Sequence, residues 1–410
     1  MASTHTRQVW QSWDASYEWK IVTLLTIGFG LVGLDRQIVA PLFSAIAADL
    51  KLNYADLGSL IGIVGLTWGV FAIAAGRLSD TFGRRAVVVP AVIGFSLLSG
   101  VSGLAGGLGT LIIIRGFTGI TEGAFTPSSF ATVAEASKPR RLGLNQGIQQ
   151  SAFPLVGLGL GPIIATQLLL VVPSWRYVFL VVTIPGLMLG TILWFLIREH
   201  KTAAARQVAP KVPIGSLFQH RNVPVGMIAL FCNMTGVFVT AAMVPNYLVD
   251  HLKLDLQQMG FVASAVGFGG FLGQLVLPGL SDVWGRKTML LLSFIGAAAF
   301  IYAFAQVPAS NQAMLFAMLF MSCFFCFANL GIITGPIAIE AAPPGAMASV
   351  AGIVIGAGEI FGGGASPAIA GRIAQAYGIN QVLTVSLVGF IGGAIATLFL
   401  RETAPRTLAG

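Results

Sequence analysis

Two short stretches decide the fold, because each nearly repeats the other: Gly76-Arg-Leu-Ser-Asp-Thr-Phe-Gly-Arg-Arg85 and Gly279-Leu-Ser-Asp-Val-Trp-Gly-Arg-Lys287. They lie about half of the 410-residue chain apart. Each follows the second long apolar segment of its half and forms a short polar hairpin before the third. A repeat at this spacing indicates that the chain is built from two similar halves.

The composition is that of a membrane protein. Hydrophobic residues make up 56% of the chain, charged residues only 9%, and the mean hydropathy is +0.85. Soluble domains carry about 25% charged residues. We therefore predict an all-α membrane protein with twelve transmembrane helices in two pseudo-symmetric six-helix bundles, each apolar segment being long enough to span a bilayer. The predicted spans are 20–43, 57–76, 86–106, 109–134, 142–171, 176–197, 223–248, 258–279, 288–306, 313–337, 346–371 and 379–400.

A polar segment divides the chain into its two halves. Residues 1–197 are predicted to form the first bundle, 198–222 a cytoplasmic linker and 223–410 the second bundle. The linker is basic and contains Pro210 and Pro213. It is too short to fold as a domain, and its positive charge is expected to lie against anionic membrane lipid.

The distribution of positive charge predicts the orientation. Seventeen of the 23 Lys and Arg fall on one side of the predicted spans, which places that side, with both termini, in the cytoplasm. The net charge of +8 thus reflects topology, and no soluble basic surface is available for nucleic acid. No cleavable signal sequence is expected, since the first twenty residues are polar. The compact chain favours a bacterial inner membrane.

The residue types found in the two hairpins have physical explanations. Glycine suits a backbone with unusual angles or a close helix contact, aspartate favours a helix N-terminus, and arginine keeps a loop in the cytoplasm. The hairpins are interpreted as topological anchors that also take part in gating. The residues concerned are Gly76, Asp80, Gly83, Arg84 and Arg85 in the first copy, and Gly279, Asp282, Gly285, Arg286 and Lys287 in the second.

The hairpins resemble the signature loop of the major facilitator superfamily, which occurs between its second and third helices and again between its eighth and ninth. Arg115, in Leu111-Ile-Ile-Ile-Arg-Gly-Phe-Thr-Gly119, is similar to the arginine of that family's fourth helix. The resemblance covers essentially the whole chain. It implies twelve helices, a central site between the halves and transport by alternating access.

Few ionisable residues fall inside the predicted spans, which makes them informative. Each costs about 2.5–3.5 kcal/mol at a helix centre. Arg115 and Glu122, both in span 4, are two helical turns apart, about 10.5 Å, and are therefore too far apart to pair. Asp35 and Arg36 in span 1 offer a complementary acid and base. These residues are explained either by structural ion pairs or by proton coupling with anion binding.

The same pattern is similar to the anion:cation symporter branch of the superfamily. The resemblance implies that Asp35 and Glu122 are protonation sites, that Arg36 serves substrate binding or coupling, and that Arg115 is linked to one of the acids. The chain departs from the branch in span 11, where many members carry Asn but this sequence has Glu359. Glu359 is expected either to face the cavity, as a third proton site or substrate contact, or to be an interhelical acid. A cavity-facing Glu359 would repel a second carboxylate unless protonated. Glu340, at a helix end, is expected to be solvated.

Neutral polar side chains within the spans complete the predicted substrate site. Interhelical hydrogen bonding is the competing explanation for each of them. They are Gln149, Gln150, Asn246, Tyr247, Gln274 and Asn329.

The resulting hypothesis is a proton-coupled symporter that takes up a small organic anion, such as a sugar acid or a hydroxy or aromatic carboxylate. The alternative is a proton-driven exporter of drugs or lysolipids, which Glu359 and the motif Gly157-Leu-Gly-Leu-Gly-Pro162 favour. A sensor that binds without transport is a further alternative. An enzyme is not expected, because no span contains His and no nucleotide-binding loop or metal cluster is present. No cofactor is expected beyond the proton as coupling ion, and a monomer is the default.

Overall fold

The first half of the chain folds into six helical segments. The computed structural model describes residues 14–52, 54–198, 213–343 and 345–404. Helix α1 continues beyond Ile38 as a second helix, Val39–Leu50, and α5 is interrupted by a wide turn. The helices of the first half are α1 (Ala15–Gln37), α2 (Tyr54–Phe82), α3 (Arg84–Ser102), α4 (Leu108–Ala136), α5 (142–171) and α6 (Trp175–Leu196).

The second half repeats this order. A short helix, Ile214–Leu217, precedes it. Most of the predicted linker, residues 199–212, lies outside the described residues. The helices of the second half are α7 (Asn222–Asn246, extended by Tyr247–His251), α8 (Leu256–Trp284), α9 (Arg286–Gln306), α10 (312–340), α11 (347–377) and α12 (Val382–Leu398).

The predicted all-α, twelve-helix membrane fold is confirmed. Within the part of the chain that the structure describes, ten helices are long and apolar enough to cross a bilayer. The other two segments, α4 and α5, are about as long but carry more polar residues on buried faces. Large apolar side chains cover the outside of the bundle, as expected for a surface in contact with lipid. The most exposed include Leu104, Ile113, Leu170, Val171 and Phe195.

The two hairpins adopt the same backbone conformation. Gly83 separates α2 from α3 with φ 105°, and Gly285 separates α8 from α9 with φ 95°. This region of backbone space favours glycine, because a side chain would be strained there. The two halves are thus equivalent in their turns as well as in their helix order. We call the membrane face on which both hairpins lie the hairpin side.

Among the described residues, wide π-type turns interrupt three helices, and a fourth, Tyr247–His251, ends α7. One covers Phe153–Leu160 in α5 and another Gly358–Ala365 in α11, two helices that occupy equivalent places in the two halves. A shorter one, Ile333–Ile337, lies in α10. Such turns often mark functional sites within helices. Glu359 lies in the α11 turn.

The halves meet along two seams, one between α2 and α11 and the other between α5 and α8. Small residues bring the backbones together. A Cβ on Gly76 would overlap the carbonyl oxygen of Ala348, and a Cβ on Gly143 would overlap that of Pro278. Both glycines lie near the hairpin side, where the seams are tight enough to exclude any side chain.

Candidate functional site

The hairpin aspartates bind the opposite half. Asp80, at the end of α2, accepts hydrogen bonds from the backbone N of Ala348 at 3.2 Å and of Ser349 at 2.7 Å. Asp282, at the end of α8, accepts from the backbone N of Gly143 and Leu144, both at 3.0 Å. Each carboxylate therefore caps the first turn of α11 or α5, where the helix dipole favours negative charge. The hairpin side is closed by these contacts.

Arginines hold both aspartates in place. Arg84 pairs with Asp80 at 2.7 Å, and Arg286 pairs with Asp282 at 2.6 Å. Each arginine also binds a second acid that ends a helix of its own half: Glu135 of α4 at 2.7 Å from Arg84, and Glu340 of α10 at 2.9 Å from Arg286. The arrangement repeats in both halves with the same chemistry.

Glu340 corrects one expectation. It was expected to be solvated, but its side chain is only 12% exposed because it is paired with Arg286. It also accepts a hydrogen bond from the Thr403 hydroxyl at 2.6 Å. Arg85 does not join this network, since its guanidinium lies 4.3 Å from the ring of Trp194.

A second set of charges lies deep inside the first half. Arg115 of α4 pairs with Asp35 of α1 at 3.5 Å and also donates to the backbone O of Arg36 at 3.4 Å. Arg115 and Asp35 are almost completely buried. Charged groups at this depth are costly to hold unless they are paired.

Glu122 is placed differently from Asp35. Its side chain is fully buried, and neither of its carboxyl oxygens meets a hydrogen-bond donor among the described residues. The Asp35 carboxyl and the Arg115 guanidinium both act on it electrostatically. One oxygen of Asp35 also lacks a donor. Two carboxyl groups that face each other can form a hydrogen bond only when one of them carries a proton.

Arg36 points to the second half. Its Nη2 and Nη1 lie 3.1 and 3.4 Å from Oε2 and Oε1 of Glu359, so the guanidinium fork is occupied by one carboxylate. The guanidinium also lies 4.4 Å from the ring centre of Trp68 on α2 and 5.4 Å from that of Phe238 on α7. The indole N–H of Trp68 is buried without an acceptor among the described residues. Four helices, two from each half, thus converge on Arg36.

Together these residues form a charged cluster at the centre of the molecule: Asp35, Arg36, Arg115, Glu122 and Glu359. It contains two guanidinium groups and three carboxyl groups, and each guanidinium is paired with one carboxylate. Among the described side chains of this cluster, Glu122 is the acid that forms no ion pair. The cluster is balanced in charge when Glu122 is neutral, and a proton or an organic anion entering it changes that balance.

Three of the six neutral polar residues form hydrogen bonds between helices. Gln149 donates to the Ser129 hydroxyl at 2.9 Å. Asn329 donates to the side chain of Asn233 at 3.3 Å. Acceptor oxygens of Gln149, Gln274 and Asn329 nevertheless remain without a donor among the described residues.

The last three members of the predicted set lie elsewhere. Gln150 joins α5 to α10 of the other half, donating to the backbone O of Gly331 and accepting from the Thr334 hydroxyl. Tyr247 packs its ring against Phe304 and His251. Asn246 is exposed. The structure therefore does not bring Asn246 or Tyr247 to the charged cluster.

Glu135, Ser349 and Trp68 are site residues that sequence reasoning missed. A local signal existed for Glu135. It is an acid at the end of α4, and the equivalent helix of the second half, α10, also ends with an acid, Glu340. No local signal singles out Ser349 or Trp68, because their partners are distant in sequence.

Comparison with known proteins agrees with this architecture. The model of the Major Facilitator Superfamily matches residues 25–353 and, a second time, 226–409. A protein of Haemophilus influenzae that carries the name of a metabolite transport protein is 28% identical and covers 94% of this chain and 96% of its own length. The 3-(3-hydroxy-phenyl)propionate transporter of Escherichia coli is 28% identical over 71% of this chain and 73% of its own. The 4-hydroxybenzoate transporter of Pseudomonas aeruginosa is 25% identical over 76% of each. The chain therefore belongs to the Major Facilitator Superfamily and is a transporter, not an enzyme.

Proposed function

We propose that this transporter is a proton-coupled symporter that carries a small organic anion into the cell across a bacterial inner membrane, with the hairpin side facing the cytoplasm. The observation that carries the proposal is the charged cluster, in which two arginines and three carboxyl groups are buried together. Relatives named as transporters of 4-hydroxybenzoate, hydroxyphenylpropionate and hexuronate support an organic acid as the substrate.

The proton is carried by Asp35 and Glu122. Glu122 has no basic partner, and burial of an unpaired carboxylate is costly, so a proton on Glu122 is favoured when the site is closed to water. Asp35 faces it and holds Arg115. Because the two carboxyls cannot both be charged at low cost, they can load and release a proton as access alternates.

The anion is bound by Arg36. Its guanidinium fork fits a carboxylate in two parallel hydrogen bonds, and it lies at the meeting point of the two halves. A substrate bound there would be reached from one side of the membrane or the other as the halves rock. The closed hairpin side indicates that access in this conformation would be from the opposite face.

The exporter alternative depends on Glu359 as an unpaired carboxylate that would attract a cationic drug. Glu359 is not such a group, since it is paired with Arg36. Both buried arginines would also repel a cation. These observations favour the anion symporter.

Uptake into proteoliposomes tests the proposal. Labelled 4-hydroxybenzoate and galacturonate would be offered with and without an inward proton gradient, to the wild type and to the Asp35→Asn and Glu122→Gln variants. We expect gradient-driven accumulation in the wild type that either substitution abolishes while anion exchange persists. The control is Asp49→Asn, which removes an acid from a partly exposed ion pair with Arg176 far from the cluster. Absence of anion accumulation, together with proton-driven efflux of lipophilic cations or lysolipids, would overturn the symporter hypothesis.

A further inference from the structure

The ion pair between Arg36 and Glu359 occupies the position that a substrate carboxylate needs. Of the ion pairs between described side chains, it is the only one that joins the two halves. Both side chains are buried, with 6% and 5% of their surface exposed. Both terminal nitrogens of Arg36 are engaged by the two oxygens of this one carboxylate.

A carboxylate substrate and Glu359 therefore compete for the same nitrogens. Glu359 takes the Nη1–Nη2 edge of the Arg36 guanidinium, and the ring centres of Trp68 and Phe238 lie 4.4 and 5.4 Å from the guanidinium carbon. A substrate can take the bidentate position only if Glu359 leaves it. Glu359 is thus an anion of the protein itself at this position.

The residues around Glu359 determine its environment after a substrate carboxylate has displaced it from Arg36. A Cβ on Gly363 would lie 2.8 Å from Oε2 of Glu359 and 3.0 Å from the Phe238 ring, so this side of the acid is lined by glycine and an aromatic ring. No basic side chain other than Arg36 pairs with Glu359 in the described structure. A displaced Glu359 therefore remains beside the substrate, with no second cation to neutralise it.

We propose that Glu359 is an internal competitor that makes the site selective for monocarboxylates. The substrate carboxylate replaces Glu359 on Arg36, which releases the link between the halves, and the displaced acid repels any second negative charge on the substrate. This inference rests on the proposed function, because it assumes an organic anion at Arg36.

Equilibrium binding to the purified full-length protein tests the proposal without requiring transport. Two matched pairs of probes differ by one carboxylate: 4-hydroxybenzoate with benzene-1,4-dicarboxylate, and galacturonate with galactarate. Each would be titrated into the wild type, Glu359→Gln and Glu359→Asp. The glutamine removes the charge at nearly constant shape, whereas the aspartate keeps the charge.

Of the two monocarboxylates, the one that binds the wild type more tightly should bind Glu359→Gln about fivefold or more tightly still. The reason is that the glutamine no longer competes for Arg36. The preference of this variant for the monocarboxylate over the matched dicarboxylate should shrink by a similar factor. Glu359→Asp should retain the preference. In the wild type, each dicarboxylate should bind more weakly than its matched monocarboxylate. This comparison tests the proposal even if a variant does not fold.

Two other results would overturn the proposal in distinguishable ways. Equal or weaker monocarboxylate binding by folded Glu359→Gln, or a wild type that binds the dicarboxylate as well as the monocarboxylate, would remove the competitor role while leaving the proposed function intact. A complete absence of carboxylate binding in the wild type and in both variants would reject the proposed function and the competitor with it.

Discussion

Asp80 and Ser349 bind each other across the two halves of the molecule. One carboxylate oxygen of Asp80 accepts from both the backbone N and the hydroxyl of Ser349, each at 2.7 Å. The second half has the equivalent contact, in which Asp282 accepts from the start of α5. These contacts exist only while the hairpin side is closed, and they therefore favour that conformation over the one open on the hairpin side.

Asp80→Asn is expected to open the hairpin side. Hydrogen bonds to a charged group contribute about 1.5–3 kcal/mol each, and the substitution weakens three of them. Distances between spin labels at Thr81 and Val283, at the hairpin ends of α2 and α8, would report the change. We expect a larger fraction of molecules with a long distance between the labels. Ser349→Ala removes the hydroxyl bond alone and should have a smaller effect. An unchanged distance distribution in Asp80→Asn would show that the aspartate does not hold the closed state.

Gly76→Ala is expected to force α2 away from α11. The added methyl would overlap the carbonyl of Ala348, and overpacking of this kind costs about 1–3 kcal/mol. Thermal unfolding in detergent should show lower stability, and transport should slow. The matched control is Gly62→Ala on the same helix, where nothing lies within 4 Å of the new Cβ. Because alanine has the higher helix propensity at both positions, equal stability of the two variants would show that the contact of Gly76 with Ala348 does not limit the seam.

Asp35→Asn and Glu122→Gln are expected to differ in stability although both abolish coupling. Asp35→Asn leaves Arg115 buried without its partner, and breaking a buried pair costs about 3–5 kcal/mol. Glu122→Gln replaces an acid that has no basic partner with a neutral group of nearly the same shape. The unfolding temperature should fall clearly for Asp35→Asn and little for Glu122→Gln. A large fall for Glu122→Gln would indicate that Glu122 is charged in the closed protein.

Arg36→Lys is expected to weaken anion binding about tenfold or more, because lysine lacks the planar fork that holds a carboxylate in two bonds. Binding of 4-hydroxybenzoate and galacturonate to the purified protein measures this. Arg176→Lys is a close control, since Arg176 also pairs with an aspartate and lies 4.5 Å from a tryptophan ring, but outside the charged cluster. If both substitutions left affinity unchanged, Arg36 would not be the anion-binding residue.

Much of the fold could be predicted from the sequence. Apolar segments of sufficient length recur twelve times, and lipid leaves few ways for such segments to fold. The positive φ of Gly83 and Gly285 fits the expected use of glycine in the hairpins. The wide turns were not predicted, although runs of glycine mark them in Gly157–Gly161 and Gly362–Gly364, because no local rule distinguishes a π-type turn from a close helix contact.

The pairing of charges could be predicted only in part. The two-turn spacing of Arg115 and Glu122 showed that each needs a partner on another helix, and Asp35 in span 1 is the partner that Arg115 has. Arg36 instead crosses to Glu359, which is 323 residues away in sequence. Glu340 was expected to be solvated for a similar reason: the arginine that buries it belongs to a hairpin 54 residues upstream. Contacts between helices that are distant in sequence leave no periodic signal.

The crossed aspartate contacts give the seam the symmetry of a two-fold dimer. The same patch of each half, a hairpin and the start of the fifth helix of that half, meets its counterpart in the other, as in an isologous interface between identical subunits. Here the two subunits are joined in one chain, so their association is intramolecular. Closure of the hairpin side therefore resembles dimerisation at a fixed, high effective concentration, and its equilibrium is independent of the amount of protein in the membrane.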